Sequence, residues 1–228
     1  MKRIKKYQRF ERFWHWAQSA LIFFLALTGF EVHDSIHIFG YEQAVMFHRV
    51  ASYAFLVLIA FAIFWHFTTE QWKQYIPTFS NIGTQIRYYT IGIFKGEPHP
   101  INPDKWRKLN PVQAITYLGF KVLIIPVMVV SGVLYLFHKR INANDIVVIS
   151  DIDLGTIAVW HTFGAFVLMA FVIIHVYMTT TGERPTSNIK AMVTGYEDVE
   201  ENGEHAERSE LEVKVISGQQ KERKEETK

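Results

Sequence analysis

The chain has 228 residues, 49% of them hydrophobic, with ten histidines and a formal net charge of +2. It contains no cysteine, which excludes disulfides, thiolate metal sites and cysteine-ligated iron–sulfur clusters on this chain. Any redox centre here must draw on nitrogen, oxygen or thioether ligands.

The apolar residues are gathered in blocks. Uncharged runs cover Phe13–Phe30 (18 residues), Val50–Thr69 (20), Val122–Phe137 (16) and Leu154–Gly182 (29), and the third reaches back to Leu109 across the lone Lys121. A bilayer core of about 30 Å needs about 20 helical residues. The pattern therefore predicts an all-α integral membrane protein of four spans, at about 13–31, 46–69, 112–137 and 154–181. These spans form a membrane domain over residues 1–196, followed by a charged tail over 197–228. Lys and Arg number six in residues 1–12, one in 31–49, six in 70–111, two in 138–153 and eight in 183–228. The positive-inside rule then places the N-terminus, the 70–111 connector and the C-terminus in the cytoplasm. No small-residue cleavage site follows Phe30, so the first span is read as retained rather than removed with a signal peptide.

In chain order, Phe13-Trp14-His15-Trp16 opens the first span with aromatic rings at interface depth and places His15 near the inner surface. The following connector carries His33 and His37 at the i, i+4 spacing of a helical metal pair, beside the plainer reading of solvated loop histidines. His48 stands at the outer start of the second span. His66 lies 18 residues on, a whole number of turns, and so shares its face at the inner end. In the 70–111 connector, Ile82 to Phe94 predicts a helix in the interface, whereas Pro98, Pro100, Pro103 and Pro111 interrupt the rest. The third span carries Pro126, expected to kink it. Lys121 reads either as a snorkelling cation or as a partner for an anionic haem propionate or a quinone.

The fourth span is the most informative. His161 and His175 are 14 residues apart, which separates them by roughly 21 Å along a helix and only about 40° around it. Both rings leave one face, one near each membrane surface. Polar groups in lipid are costly enough that a set like this normally has a job. A b-type haem needs two axial nitrogens, usually from different helices. Pairing by depth gives His48 with His161 on the outer side and His15 with His175 on the inner side, with His66 a rival to His15. Gly164, three residues after His161, reads equally as room for a porphyrin edge or as ordinary helix packing.

Several segments carry a resemblance: Arg12-Phe13-Trp14-His15-Trp16, Phe47-His48, Leu109-Asn110-Pro111-Val112-Gln113, Trp160-His161, Ile174-His175-Val176-Tyr177-Met178, and Ile189 to Gly195. Over roughly residues 5–196 the chain resembles the dihaem membrane cytochrome b subunits of respiratory formate dehydrogenase, nickel–iron hydrogenase and thiosulfate reductase-type complexes. The resemblance implies a four-helix bundle in a bacterial or archaeal cytoplasmic membrane holding two haem b groups, with His48 and His161 on the outer iron and His15 and His175 on the inner. It implies electron transfer between an outer iron–sulfur or multihaem subunit, serving a catalytic subunit, and menaquinone or ubiquinone near the inner haem. Asn110 and Gln113 would line the quinone pocket, although an Asn-Pro turn capping the third span explains Asn110 as well. Arg49, His66 and His138 depart from the family pattern. Two other readings stand beside this one. The first is a stand-alone b561-type transmembrane reductase using His48 and His66 with His161 and His175. The second is a haem-free anchor for a peripheral enzyme. Nothing in the sequence points to nucleic acid.

Overall fold

Four long helices dominate the computed structural model, which describes residues 2–77, 79, 82–97, 109–143, 153–180 and 185–199. Pro98, Pro100, Pro103, most of the 138–153 connector and the tail beyond Val199 lie outside the described residues. The helices α1 (Arg9–Val32) and α2 (Tyr41–Thr68) form one hairpin. The third span is built from α4 (Pro111–Gly119), a wide π turn (Phe120–Ile124) and α5 (Ile125–Ala143), and it packs against α6 (Leu154–Thr179). The four apolar stretches are 24, 28, 28 and 26 residues long, or about 36–42 Å of helix against a hydrocarbon core of about 30 Å.

Local chemistry sets the helix ends. The Gln8 N–H donates to the Glu11 carboxylate at 2.6 Å as α1 begins. That helix stops at His33, and the next residue, Asp34, turns to φ 59°. Glu31 is buried, and one carboxylate oxygen accepts the N–H groups of Ile38, Phe39 and Gly40 at 2.8, 2.6 and 2.7 Å. It thus holds the connector and satisfies donors at the start of α2. Asp153 caps α6 by accepting from the Thr156 N–H at 3.3 Å. In the third span, Pro126 has no N–H and its ring would crowd the carbonyl of Val122 in a regular α-helix. The π turn over Phe120–Ile124 places the extra width at that carbonyl. In the connector, α3 (Ile82–Arg87) continues through a π turn and a 3-10 turn to Lys95, the helical segment expected there.

The packing suits lipid. Among the described residues, the buried apolar side chains are Ile22, Ala44, Ala51, Ala62, Ala114, Ile157 and Ala191. Small residues let helices approach closely where lipid removes any hydrophobic drive between them. The large rings and branched chains, such as Phe61, Phe64 and Ile173, face outward. Gly164 belongs to this packing. A Cβ there would stand 2.6 Å from Met128 Sδ and 3.4 Å from Val127 Cγ1, so the glycine serves the close contact between α6 and α5.

One element is not helical. Strand β1 (Lys2–Lys5) pairs antiparallel with β2 (Tyr196–Val199), Lys5 opposite Tyr196 and Lys2 opposite Val199. The ribbon follows the short helix α7 (Ser187–Thr194). Gly195 joins the two at φ +87° and accepts the N–H groups of Lys6 and Tyr7 at 2.9 and 3.2 Å. Lys6 pairs with Glu197 at 2.7 Å. Arg12 donates to the Val193 carbonyl at 2.5 Å, and the Trp16 indole donates to that of Met192 at 3.4 Å. The ribbon and α7 are thereby clasped to the start of α1. This end of the bundle is called the terminal end below, and the other the loop end.

A Cβ at Gly195 would lie 2.9 Å from the Tyr7 carbonyl and 3.2 Å from Arg12 Nε, in a backbone region that costs an L-residue roughly 1–2 kcal/mol before any clash. Gly195→Ala is expected to lower the melting temperature of the detergent-solubilised protein. Gly83→Ala, whose Cβ meets nothing within 4 Å, is expected to leave it unchanged or slightly raised. Differential scanning fluorimetry of both variants checks this.

Candidate functional site

Four histidines meet across the two hairpins. At the loop end, His48 on α2 faces His161 on α6 with ring centroids 6.3 Å apart and planes at 74°. At the terminal end, His15 on α1 faces His175 on α6 at 6.1 Å and 50°. An N–H···N hydrogen bond between two imidazoles would bring their centroids to roughly 5 Å. Two imidazoles on opposite sides of one metal ion stand roughly 6.2 Å apart, from a metal–nitrogen bond of about 2 Å and about 1.1 Å from ring centre to nitrogen. Both observed separations match the second arrangement.

At the loop end the hydrogen bonds also fix which nitrogen is free. The Thr28 hydroxyl donates back to the Phe24 carbonyl at 2.9 Å, so its oxygen accepts from His48 Nδ1 at 2.9 Å. The Ser131 hydroxyl donates to the Val127 carbonyl at 2.6 Å and its oxygen accepts from His161 Nδ1 at 2.9 Å. Each ring carries its proton on Nδ1, which leaves the Nε2 lone pair for a metal. The next residue completes the same device twice: a Cβ at Gly29 would meet His48 Cε1 at 3.5 Å, and one at Gly132 would meet His161 Cε1 at 3.3 Å. The hydroxyl–glycine dipeptides Thr28-Gly29 and Ser131-Gly132, each near the outer end of a span, are the sequence signal for these residues. The reading by histidine spacing alone passes over them.

The terminal-end pair is held differently. His175 Nδ1 lies 3.3 Å from the Tyr117 hydroxyl. Phe171 stacks on the His175 ring at 5.7 Å and 13°, and Phe120 stacks on Phe171 at 4.3 Å and 19°. His15 Nδ1 is buried with no hydrogen-bond partner among the described residues.

His66 is not part of this pair. It is buried on the expected face of α2, but Nδ1 bonds the Ala62 carbonyl at 2.6 Å and Nε2 lies 3.3 Å from the Tyr75 hydroxyl. Burial raises the Tyr75 phenol above its ordinary range, so it stays a neutral donor and occupies the His66 lone pair. Trp14 and Trp65 pack edge-on to the ring, each at 5.2 Å. His33 and His37 do not form a helical metal pair either, because α1 has ended. His33 Nε2 bonds the Thr162 hydroxyl at 3.3 Å, whereas His37 sits exposed, 3.6 Å from Asp34. His138 belongs to neither pair. Lys121 points toward the terminal end, its amine 3.4 Å from the Tyr75 ring centroid and 5.3 Å from that of Trp14.

Asn110 and Gln113 form a reciprocal cap at the start of α4. Asn110 Oδ1 accepts from the Gln113 N–H at 2.8 Å, and Gln113 Oε1 accepts from the Asn110 N–H at 3.1 Å. The Asn110 amide also donates to the Tyr89 hydroxyl at 2.9 Å. Gln85, fully buried on α3, accepts from the Val112 N–H at 3.3 Å and leaves its Nε2 without a partner. Tyr89, Gln85 and Tyr117 are thus further residues at this end that spacing did not single out.

Among the described residues no group of three or more His, Asp or Glu side chains is placed to hold a metal ion. Two imidazoles suffice where the metal brings its own equatorial ligands, as a porphyrin iron does. The residues present therefore fit haem. The sequence matches the family described as prokaryotic cytochrome b561 over residues 6–195. It is also 25% identical over 210 residues to a protein of Escherichia coli (strain K12) provisionally named cytochrome YdhU, covering 86% of this chain and 75% of that protein. With a family match spanning nearly all of the described helices, the chain belongs to the prokaryotic cytochrome b561 family, membrane cytochromes that bind b-type haem.

Proposed function

We propose that this chain is a dihaem electron-transfer subunit that relays electrons between a partner redox subunit on the outer face of a bacterial or archaeal cytoplasmic membrane and quinone near the cytoplasmic face. The observation that carries the reading is the pair of imidazole couples, 6.3 and 6.1 Å between centroids, at opposite ends of one lipid-length bundle. Haem supplies one-electron redox chemistry when bound. His48 and His161 would hold one group, oriented by Thr28 and Ser131, and His15 and His175 the other, with Phe171 setting the plane of His175. The basic terminal end corresponds to the cytoplasmic side by the positive-inside rule.

The same end offers hydrogen-bonding groups for a quinone carbonyl: the Asn110 amide, the Tyr89 and Tyr117 hydroxyls and the unpartnered Gln85 amide. Burial raises the Tyr89 phenol above its ordinary range, which keeps it a neutral hydrogen-bonding group. Reduction of quinone to quinol takes two electrons and two protons, and the cytoplasm lies on this side to supply them. An iron–sulfur or multihaem subunit and its catalytic subunit would dock at the loop end. The occupied nitrogens of His66 speak against the stand-alone arrangement that takes its second inner ligand from α2. The free Nε2 positions at His48 and His161 speak against a haem-free anchor.

Purified protein is expected to show a reducible b-type α-band with two haems per chain by pyridine haemochrome assay. His15→Ala is expected to halve that content and His66→Ala to leave it intact; the opposite order would refute the ligand assignment. Asn110→Ser keeps an N-cap oxygen but removes the amide donor. It is expected to slow haem reduction by a soluble quinol analogue about tenfold, the worth of one hydrogen bond, at unchanged haem content and melting temperature. An unchanged rate would confine Asn110 to capping.

A further inference from the structure

Resting on the two-haem reading, we infer that Thr28 and Ser131 set a difference in haem potential across the bundle, the loop-end pair holding the lower-potential haem and the terminal-end pair the higher. At the loop end both imidazoles donate Nδ1–H to a hydroxyl oxygen at 2.9 Å, and each hydroxyl is itself polarised by donating to a backbone carbonyl. Drawing on that proton raises the basicity of Nε2, and a more basic axial ligand stabilises ferric over ferrous iron. At the terminal end the same device is absent or slack. His15 Nδ1 has no partner among the described residues, and His175 reaches only the Tyr117 hydroxyl at 3.3 Å. These two imidazoles are the weaker donors and leave the ferrous state relatively favoured.

Charge acts in the same direction. The carboxylate of Glu31 stands two residues beyond Gly29, where a Cβ would meet the His48 ring at 3.5 Å. The Glu31 carboxylate, an anion at the loop end, disfavours an added electron on that side. Arg49, beside His48, opposes this, but its side chain is exposed. Glu197 at the terminal end is neutralised by Lys6 at 2.7 Å.

Were haem bound at both pairs, His48 and His161 would favour the oxidised state of their group and His15 and His175 the reduced state of theirs, with no bond or proton changing place.

The test is a potentiometric titration of the full-length protein with both haems bound, followed in the α-band and by electron paramagnetic resonance. Two one-electron waves are expected. The loop-end imidazole planes stand at 74° and the terminal-end planes at 50°. Planes nearer perpendicular leave the iron orbitals more nearly degenerate, so the ferric signal with the larger principal g value marks the loop-end haem and assigns the waves without any substitution. That signal is expected to disappear in the lower-potential wave. Ser131→Ala and Thr28→Val are each expected to raise the lower wave toward the upper and leave the upper in place, and Ser131→Thr is expected to restore it. Absence of any α-band would overturn the two-haem reading beneath. Two bound haems of equal or inverted potential, or a lower wave that neither substitution moves, would overturn this inference alone.

Discussion

A histidine placed in lipid must find something for both ring nitrogens, and at the loop end of this bundle a single hydrogen bond decides what the second one can do. When a hydroxyl that has already spent its proton on a backbone carbonyl stands 2.9 Å from Nδ1, as at Thr28 and Ser131, the imidazole can only donate there. Its remaining lone pair then faces the opposite hairpin. His66 shows the contrary case: Ala62 takes one nitrogen and Tyr75 the other, and the ring becomes part of the scaffold. What separates His48 and His161 from His66 is the second partner rather than depth or burial.

The rest of the fold serves that arrangement. Each hairpin packs through alanines and glycines, so its two helices lie close. The hairpins meet each other through the paired imidazoles and a few aromatic contacts such as Phe30 with Phe166. Buried apolar bulk is scarce among the described residues, as suits helices that approach through small residues and turn large ones to lipid. Glu31 fixes the α1–α2 connector from inside, which keeps Thr28 and Gly29 in register with His48.

Much of this was legible in the sequence because two periodicities survive in lipid. Uncharged runs of bilayer length show as four helices, and helical arithmetic on His161 and His175 puts both rings on one face of α6. What arithmetic could not reach were the partners supplied by other elements. The fate of His66 depends on Tyr75 in the 3-10 turn after α2, and a helical wheel cannot see past the helix end. The spacing of His33 and His37 carried no weight once Asp34 broke the helix between them. Asn110 was balanced between cap and ligand because one amide can do both, and the structure shows the cap in place. The ribbon was invisible for a different reason: its strands are short and charged, and they lie at opposite ends of the membrane domain.

That ribbon has a consequence for biogenesis. Its first strand leaves the ribosome before α1 and its second only after all four membrane helices, so the clasp closes after the bundle has been made. Arg12 and Trp16 already reach the Val193 and Met192 carbonyls of α7, and the pairing of residues 196–199 with Lys2–Lys5 adds to those bonds. The fastening between the two extremities of the membrane domain is therefore completed only once the whole bundle has been synthesised, and a chain that stops short of Tyr196 lacks its strand pairing.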